Sequence, residues 1–469
     1  MTSSPLLYDI LQKLDKSELR QFKKFIRSPF VTHREDVGKL FNVLADYLYR
    51  QKTLPTKAVL YNNVFPEDAF DDQKLRSLMS DLHKFVELFL KWVAVQEDAT
   101  SCQLALAATY RQRNLPKHFQ RSISKVETMQ EKQPLRNPEY YQNQLRLQVE
   151  TAEFQTANKR TGNLNLQEIG DTLDTLYLAR RLRHACTQLS HRAVFQTDYE
   201  FGLLKEWIDY LDESEYLKIP AIALYYYCYR FLTEEYSQSY FRKFRTALST
   251  HQSHFPKEEL KGLYRAAINF CIRKLNEGSL DYSREGWELF QEGLVAGYFV
   301  ENNRLSRFTF DNIVGIGLRL KEHEEVEIFI KKYNPKLASN YRDSTVNFNL
   351  ARLEYDRKNY DKALQYLQIS DAKDLVNQLI SKTLLLKIYY ETEEFDLLDS
   401  HLDSFRQFIR RREVSDYHQQ NFRNVIHFTR KLIALAPYDQ EERERLGVAI
   451  RGEKVLTERG WLLEKLERS

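Results

Sequence analysis

Residues 347–367 read NFNLARLEYDRKNYDKALQYL, and their apolar residues recur every three or four positions in two consecutive runs. This spacing places the apolar side chains on one face of an α-helix, so it predicts two amphipathic helices. The polar residues 359–361 separate the two runs and predict a short turn. Each helix carries one small residue, Ala351 or Ala363, which allows close approach of the pair. We therefore expect a tightly packed helix pair in this segment.

A second stretch, residues 385–402, reads LLKIYYETEEFDLLDSHL and repeats the pattern. Leu350 and Leu385 are 35 positions apart, and so are Ala363 and Leu398. Self-similarity at a period of about 34 residues is typical of tetratricopeptide repeats, whose unit is a helix, a turn and a helix. Both stretches therefore resemble tetratricopeptide units. The resemblance implies a solenoid of antiparallel helix pairs.

A weaker copy of the pattern precedes these two units. Residues 317–330 read GLRLKEHEEVEIFI and place Val326 near the position that Ala363 takes in the next unit. The units also depart from the family pattern. Lys358 stands where the family turn favours glycine, and Leu398 replaces a small residue. The remaining chain is helical by pattern, without a repeat in its sequence.

The scarcity of turn residues extends the helical prediction to the whole chain. Only 14 glycines and 11 prolines occur among 469 residues, which favours long helices joined by short connections. The predicted fold is all-α: an α-solenoid of antiparallel helix pairs with an N-terminal helical module. We place the module at residues 1–98, an irregular region of helix pairs at 99–300, and tetratricopeptide-like repeats with C-terminal helices at 301–469.

Four stretches also resemble a group of bacterial proteins of similar length from Bacteroidota genomes. They are SELRQFKKFIRSPF at 17–30, DDQKLRSLMSDLHKF at 71–85, NFCIRKLNEGS at 269–279 and YDKALQYL at 360–367. No biochemical activity is assigned to that group. The resemblance therefore implies a cytoplasmic bacterial protein and no mechanism.

Motifs that carry catalytic or cofactor chemistry are absent from the sequence. It has no phosphate-binding glycine-rich loop, no H-E-x-x-H zinc helix and no G-x-S-x-G nucleophile turn. His251 and His254 have a spacing that can hold a metal, but no third ligand lies nearby. We predict no enzyme activity, no cofactor and no metal. Buried thiols are expected at Cys102, Cys186, Cys228 and Cys271.

Charge and hydropathy narrow the classes of partner. The 70 basic and 66 acidic residues give a net charge of +4, which by itself indicates neither a nucleic acid nor a membrane. No apolar run is long enough to span a bilayer, and we expect a cytoplasmic protein. Four basic clusters are predicted to be solvent faces paired with acids: Lys23-Lys24-Arg27, Arg180-Arg181-Arg183, Arg242-Lys243-Arg245 and Arg410-Arg411-Arg412.

The repeat resemblance implies a groove lined by the first helix of each pair, suited to a peptide or a partner helix. Arg352 and Lys387 are predicted to hold a partner carboxylate. Tyr355 and Tyr390 are predicted to supply apolar contact, with the alternative that they only pack between helix pairs. The full candidate set is Phe348, Arg352, Tyr355 and Asp356 in one unit and Lys387, Tyr390 and Glu391 in the next.

Three hypotheses for the function follow. The first is a non-catalytic scaffold or adaptor that binds a protein or peptide partner. The second is a nucleic-acid-associated regulator that uses the N-terminal module or a basic cluster. The third is an enzyme whose active-site residues are dispersed along the sequence.

Overall fold

The periodic apolar runs form helices along almost the whole chain. The computed structural model describes residues 5–50, 55–158, 164–195, 197–233, 237–370, 375–412, 416–436 and 439–468. These residues form 23 α-helices, three short 3-10 helices and one β-hairpin of two-residue strands. The predicted all-α class is confirmed.

The bounds of the elements are given in chain order. The first helices are α1 (Pro5–Leu11), α2 (Lys16–Phe25), α3 (Glu35–Tyr49), α4 (Lys57–Val64), α5 (Asp72–Glu97), α6 (Ala99–Gln112), α7 (Pro116–Lys132), α8 (Pro138–Asn158) and α9 (Leu166–Phe195). The next are α10 (Leu204–Leu211), α11 (Pro220–Thr233), α12 (Ser237–His251), α13 (Lys257–Asn276), α14 (Tyr282–Val295), α15 (Arg307–Arg319) and α16 (His323–Tyr333).

The last helices are α17 (Arg342–Asp356), α18 (Tyr360–Ile369), α19 (Leu375–Glu391), α20 (Phe395–Arg411), α21 (Asp416–Ala434), α22 (Gln440–Gly452) and α23 (Arg459–Arg468). Strands β1 (Val300–Glu301) and β2 (Arg304–Leu305) pair antiparallel between α14 and α15. The 3-10 helices are Glu215–Lys218, Gln252–His254 and Asn334–Lys336.

The chain divides into two compact units, Met1–Tyr177 and Leu178–Ser469. The division falls within α9. The three segments predicted from the sequence, 1–98, 99–300 and 301–469, stay predictions.

Helices α1 to α5 enclose a core of apolar side chains. The rings of Phe22 and Phe41 meet edge to face with centroids 4.8 Å apart, and Phe89 lies 5.3 Å from Phe22. All three rings are fully buried. In the described part of residues 5–98, no charged side chain is buried. Hydrophobic burial therefore dominates the stability of this region.

A recurring turn ends six of the described helices from α6 onward. At Lys358 the backbone is left-handed, with φ of 63°. The Lys358 N–H donates to the Tyr355 carbonyl at 2.9 Å, and the Asn359 N–H donates to the Glu354 carbonyl at 2.8 Å. This pair of bonds is the Schellman arrangement, which satisfies the last free carbonyls of a helix. The same left-handed residue and the same two bonds recur at Asn114, Gly278, Gly297, Lys321 and Glu393.

Small residues bring the paired helices close together. Ala351 on α17 and Ala363 on α18 are both fully buried where these helices pack, as the sequence predicts. A Cβ atom on Gly317 of α15 would overlap the side chains of Val326 and Trp287. Close helix packing therefore explains the glycine at that position.

Three of the four predicted buried thiols are confirmed. Cys186, Cys228 and Cys271 are buried, whereas Cys102 is only partly buried. The prediction for Cys102 is corrected because its thiol lies at the junction of α5 and α6, where it contacts the Val95 carbonyl at 2.9 Å.

Candidate functional site

The seven predicted groove residues lie on α17 and α19, the first helices of the two repeat-like pairs. Phe348 is almost fully buried, and the other six are partly buried. The contacts of each side chain decide which of the seven share one surface.

Arg352 is partly buried, and its Nη1 makes two hydrogen bonds within the protein. Its Nη1 donates to the Asp311 carbonyl at 3.2 Å and to the Asn349 Oδ1 at 3.0 Å. The guanidinium also lies against Gly315, where a Cβ atom would leave it no room. Burial lowers the pKa of Arg352, the charge of Asp311 opposes that shift, and the neighbouring Arg319 adds to it.

Lys387 faces the segment that precedes α23. Its Nζ donates to a Glu458 carboxylate oxygen at 2.9 Å. The ammonium also lies 5.0 Å from the ring centroid of Tyr355 and 5.7 Å from that of Trp461, within cation–π range. Burial raises the pKa of Tyr355, and the nearby Glu391 charge adds to that rise.

Glu391 and Tyr390 contact α23 directly. The Trp461 Nε1 donates to Glu391 at 3.0 Å, and the Lys465 Nζ lies 2.7 Å from the same carboxylate. The Tyr390 and Trp461 rings meet edge to face with centroids 5.3 Å apart. Lys465 is buried despite its charge, because Glu391 neutralises it.

The structure brings five of the seven residues into one surface and places two elsewhere. Arg352, Tyr355, Lys387, Tyr390 and Glu391 converge where α23 and Glu458 meet α17 and α19. Asp356 instead accepts from Lys321 of the α15–α16 turn at 2.6 Å and from His323. Phe348 packs beneath the Arg352 guanidinium, with 5.5 Å between the guanidinium carbon and the ring centroid. We call the surface formed by these five residues and by Arg319 of α15 the α15–α19 face.

Three cations on the α15–α19 face form a row. Arg319 on α15, Arg352 on α17 and Lys387 on α19 are 33 and 35 positions apart in the sequence. Glu458 interacts electrostatically with the two arginines and is hydrogen-bonded to Lys387. The Arg319 side chain is exposed overall, but the atoms packed around its guanidinium exclude water and lower its pKa, and the Glu458 charge opposes that shift. This row of cations therefore attracts an anionic group.

Sequence reasoning missed four residues of this site. The repeat spacing could have found Arg319, since it precedes Arg352 by about one repeat length. Nothing local could have found Glu458, Trp461 and Lys465. They contact residues that lie 70 to 74 positions earlier in the chain.

A separate cavity of about 460 Å³ lies in the second unit, between α9, α11 and α13. The Tyr225 hydroxyl donates to the buried Glu259 carboxylate at its wall, and Arg183 lies 3.4 Å from that carboxylate. Burial raises the pKa of the Cys186 thiol on the same wall, and the adjacent Cys228 adds to the rise. A protonated, buried thiol is a poor nucleophile. The dispersed-residue enzyme hypothesis stays a prediction.

The basic clusters differ in their pairing. Arg183 lies near Glu259, and Arg245 pairs with Glu292 at 2.8 Å, as expected for charges balanced by acids. In the described part of the chain, no carboxylate lies within ion-pair distance of Lys23-Lys24-Arg27 or of Arg410-Arg411-Arg412. Phe30, just beyond α2, is fully exposed.

The described residues contain neither a three-residue metal-binding group nor a membrane-spanning helix. Among them, no group of three or more His, Cys, Asp or Glu side chains is placed to hold a metal ion. The rings of His251 and His254 stack with centroids 5.6 Å apart. None of the described helices combines the length and the apolar character needed to cross a bilayer.

Similarity to known proteins adds nothing further. The chain matches no protein-family model, and neither a curated protein nor a solved structure is significantly similar to it.

Proposed function

We propose that the chain is a non-catalytic scaffold that binds a protein or peptide partner on the α15–α19 face. Its architecture in this proposal is a solenoid of tetratricopeptide-like antiparallel helix pairs with an N-terminal helical module. The recurring Schellman turn supports this arrangement, because it connects α15 to α16, α17 to α18 and α19 to α20 in the same way. The packing of α15 on α17 and of α17 on α19 also supports it.

The observation that carries the proposal is the row of Arg319, Arg352 and Lys387. Side chains that repeat with the helix pairs present equally spaced charges along one face, which suits an extended or helical partner. Glu458 and Asp311 supply two opposing charges for the three cations. The row therefore retains an attraction for a partner carboxylate.

We further propose that the protein acts in the cytoplasm of a bacterium. The four stretches that resemble Bacteroidota proteins support this setting. A cytoplasmic adaptor also agrees with four cysteines, none of which is in a disulfide among the described residues.

The test compares partner capture by two charge-reversed proteins. Arg319→Glu alters an exposed member of the row without removing a buried hydrogen bond, whereas Arg352→Glu would also disturb the interior. The control is Lys332→Glu on α16, which reverses an exposed charge outside the face. In affinity purification from the producing cells, we expect Arg319→Glu to lose the proteins that wild type and the control retain. Equal recovery by all three proteins would refute this face as the binding site.

A second candidate function is nucleic-acid binding by α2. Lys23 and Lys24 in its last turn and Arg27 just beyond it are exposed and lack ion-pair partners among the described residues, and the exposed ring of Phe30 follows them. Cations beside an exposed aromatic ring suit phosphates beside stacked bases.

Electrophoretic mobility shifts with mixed DNA and RNA test this second function. Binding should weaken steeply between low and moderate salt, because phosphate contacts release counterions. Lys23→Glu/Lys24→Glu/Arg27→Glu should abolish the shift. The matched control reverses Arg410, Arg411 and Arg412 and should leave it in place. Loss in both triple variants would indicate unspecific charge attraction.

A further inference from the structure

The α15–α19 face is already occupied by a segment of the same chain. We propose that Glu458, Trp461 and Lys465 act as an internal ligand of this face. The partner class is then an amphipathic helix with the pattern Glu-x-x-Trp-x-x-x-Lys, which competes with α23. This inference rests on the proposed function, since it names the partner chemistry of the same surface.

Charge pairing is the first argument. Glu458 directs its carboxylate at Lys387, and its charge acts on Arg319 and Arg352 as well. The Glu458 carboxylate thus forms an ion pair with Lys387 and favours the charged forms of the two arginines nearby. A carboxylate supplied by a separate helix would meet the same cations.

The second argument is the position of Trp461. Its ring lies against Tyr390 and below the Lys387 ammonium, and its Nε1 donates to Glu391. The side chain is 8% exposed. A ring that is buried on apolar neighbours and hydrogen-bonded at its polar edge is the usual anchor of a helix in a groove. The face therefore recognises an aromatic residue with an N–H or O–H donor.

The third argument is the spacing. Trp461 and Lys465 are four positions apart on one side of α23, and Glu458 directly precedes the helix, where its carbonyl accepts from the Leu462 N–H at 3.0 Å. Lys465 closes the contact by binding both oxygens of Glu391, at 2.7 and 2.9 Å. Leu462 and Leu466 are buried in the adjoining apolar cluster. A competing helix needs apolar residues one position after the tryptophan and one after the lysine.

The short length of α23 allows a separate helix to replace it on the α15–α19 face. With ten residues it is shorter than a helix that is stable alone in water, so its order depends on this surface. Tethering supplies the segment at an effective concentration of about 1 mM, so a free helix competes only when its affinity or concentration is high. The wild-type protein is therefore expected to bind an isolated peptide with the α23 sequence weakly and to retain only cellular partners of higher affinity.

Fluorescence anisotropy with a labelled peptide of residues 453–468, EKVLTERGWLLEKLER, tests the inference. The full-length variant Glu458→Ala/Lys465→Ala weakens the internal ligand, and Glu467→Ala/Arg468→Ala is the control because both residues are exposed. We expect the first variant to bind the peptide at least tenfold more tightly than wild type and the control. A peptide with alanine in place of the tryptophan should not bind.

A charge exchange guards against misfolding of the variant. Lys387→Glu alone repels the internal Glu458 and should bind the peptide only when the peptide carries Glu458→Lys, whereas Lys387→Glu/Glu458→Lys restores the internal ion pair with reversed signs and should exclude that same peptide. Equal peptide binding by all full-length proteins, or no binding by a variant with the wild-type circular dichroism spectrum, would overturn the internal ligand. If Arg319→Glu still loses cellular partners in that case, the proposed function stands and only the competing-helix inference fails.

Discussion

The region α1–α5 and the region α15–α19 are both helical, yet they are held together by different forces. The first buries apolar side chains around Phe22, Phe41 and Phe89, with no buried charge among its described residues. The second buries the polar Asn349 and the charged Glu354 beside its apolar contacts, and its partly buried Arg352 donates to the Asp311 carbonyl. A purely apolar core stabilises the packed arrangement of the helices without specifying which side chains pair. A hydrogen-bonded polar interior also specifies which groups can meet, because each unpaired partner is costly.

The largest expected effect is in the apolar region. Phe22→Ala should destabilise α1–α5 by about 3–5 kcal/mol, because it leaves a cavity between Phe41 and Phe89. Phe30→Ala is the matched control, since that ring is fully exposed. Hydrogen exchange of peptides from α2 and α5 should accelerate in the first variant and stay unchanged in the control. Comparable protection in both would mean that this core tolerates the cavity.

A smaller loss is expected when the polar contact with α23 is broken. Lys465→Met leaves Glu391 largely buried without its cation, which should cost about 3 kcal/mol. Adding Glu391→Gln removes the unpaired charge and retains an acceptor for the Trp461 N–H, so the double variant should recover most of the loss. Urea unfolding followed by tryptophan fluorescence measures both. A double variant as unstable as the single one would contradict the role assigned to this ion pair.

The recurring turn provides a third contrast, because no described residue of α1–α5 or of their connections has a left-handed backbone. Lys358→Gly should stabilise the α17–α18 pair by about 1 kcal/mol, since glycine adopts positive φ without steric cost. Lys362→Gly, in the exposed part of α18, should instead destabilise it by about 1 kcal/mol. Thermal unfolding of the two variants should therefore shift in opposite directions. Shifts of the same sign would exclude backbone strain at Lys358.

The smallest effect concerns a surface ion pair of the α15–α19 region. Hydrogen bonds from Lys331 and Arg357 lower the pKa of Glu327 to about 2. The stabilisation is full above the ordinary value of 4.5 and is lost as the pH falls towards 2. In urea unfolding at pH 7 the free energy of unfolding of wild type should therefore exceed that of Glu327→Gln by less than about 1 kcal/mol, and this difference should shrink between pH 4.5 and pH 3. Glu324→Gln, at an exposed neighbouring site, should show no such trend.

The two regions also differ in how much their sequences reveal. Apolar periodicity predicts the helices in both, and Ala351 and Ala363 identify one close pair in advance. The left-handed backbone at Lys358 is harder to predict from the sequence. Two backbone hydrogen bonds hold it, and a lysine can take that conformation as well as a glycine. Five of the seven predicted groove residues share a surface, since repeat spacing puts them on facing helices. The segment that covers them could not be predicted, because pairing across 71 residues leaves no local pattern.

The left-handed turn residues also mark places where the chain can be divided into modules. Lys321, Lys358 and Glu393 are exposed, and the two hydrogen bonds at each turn use only backbone atoms. A helix pair connected by such a turn can be duplicated, exchanged or changed in sequence without altering the geometry of the turn. The side chains at the joints are then free to diverge, so related proteins could retain the same connector while sharing few residues with this chain.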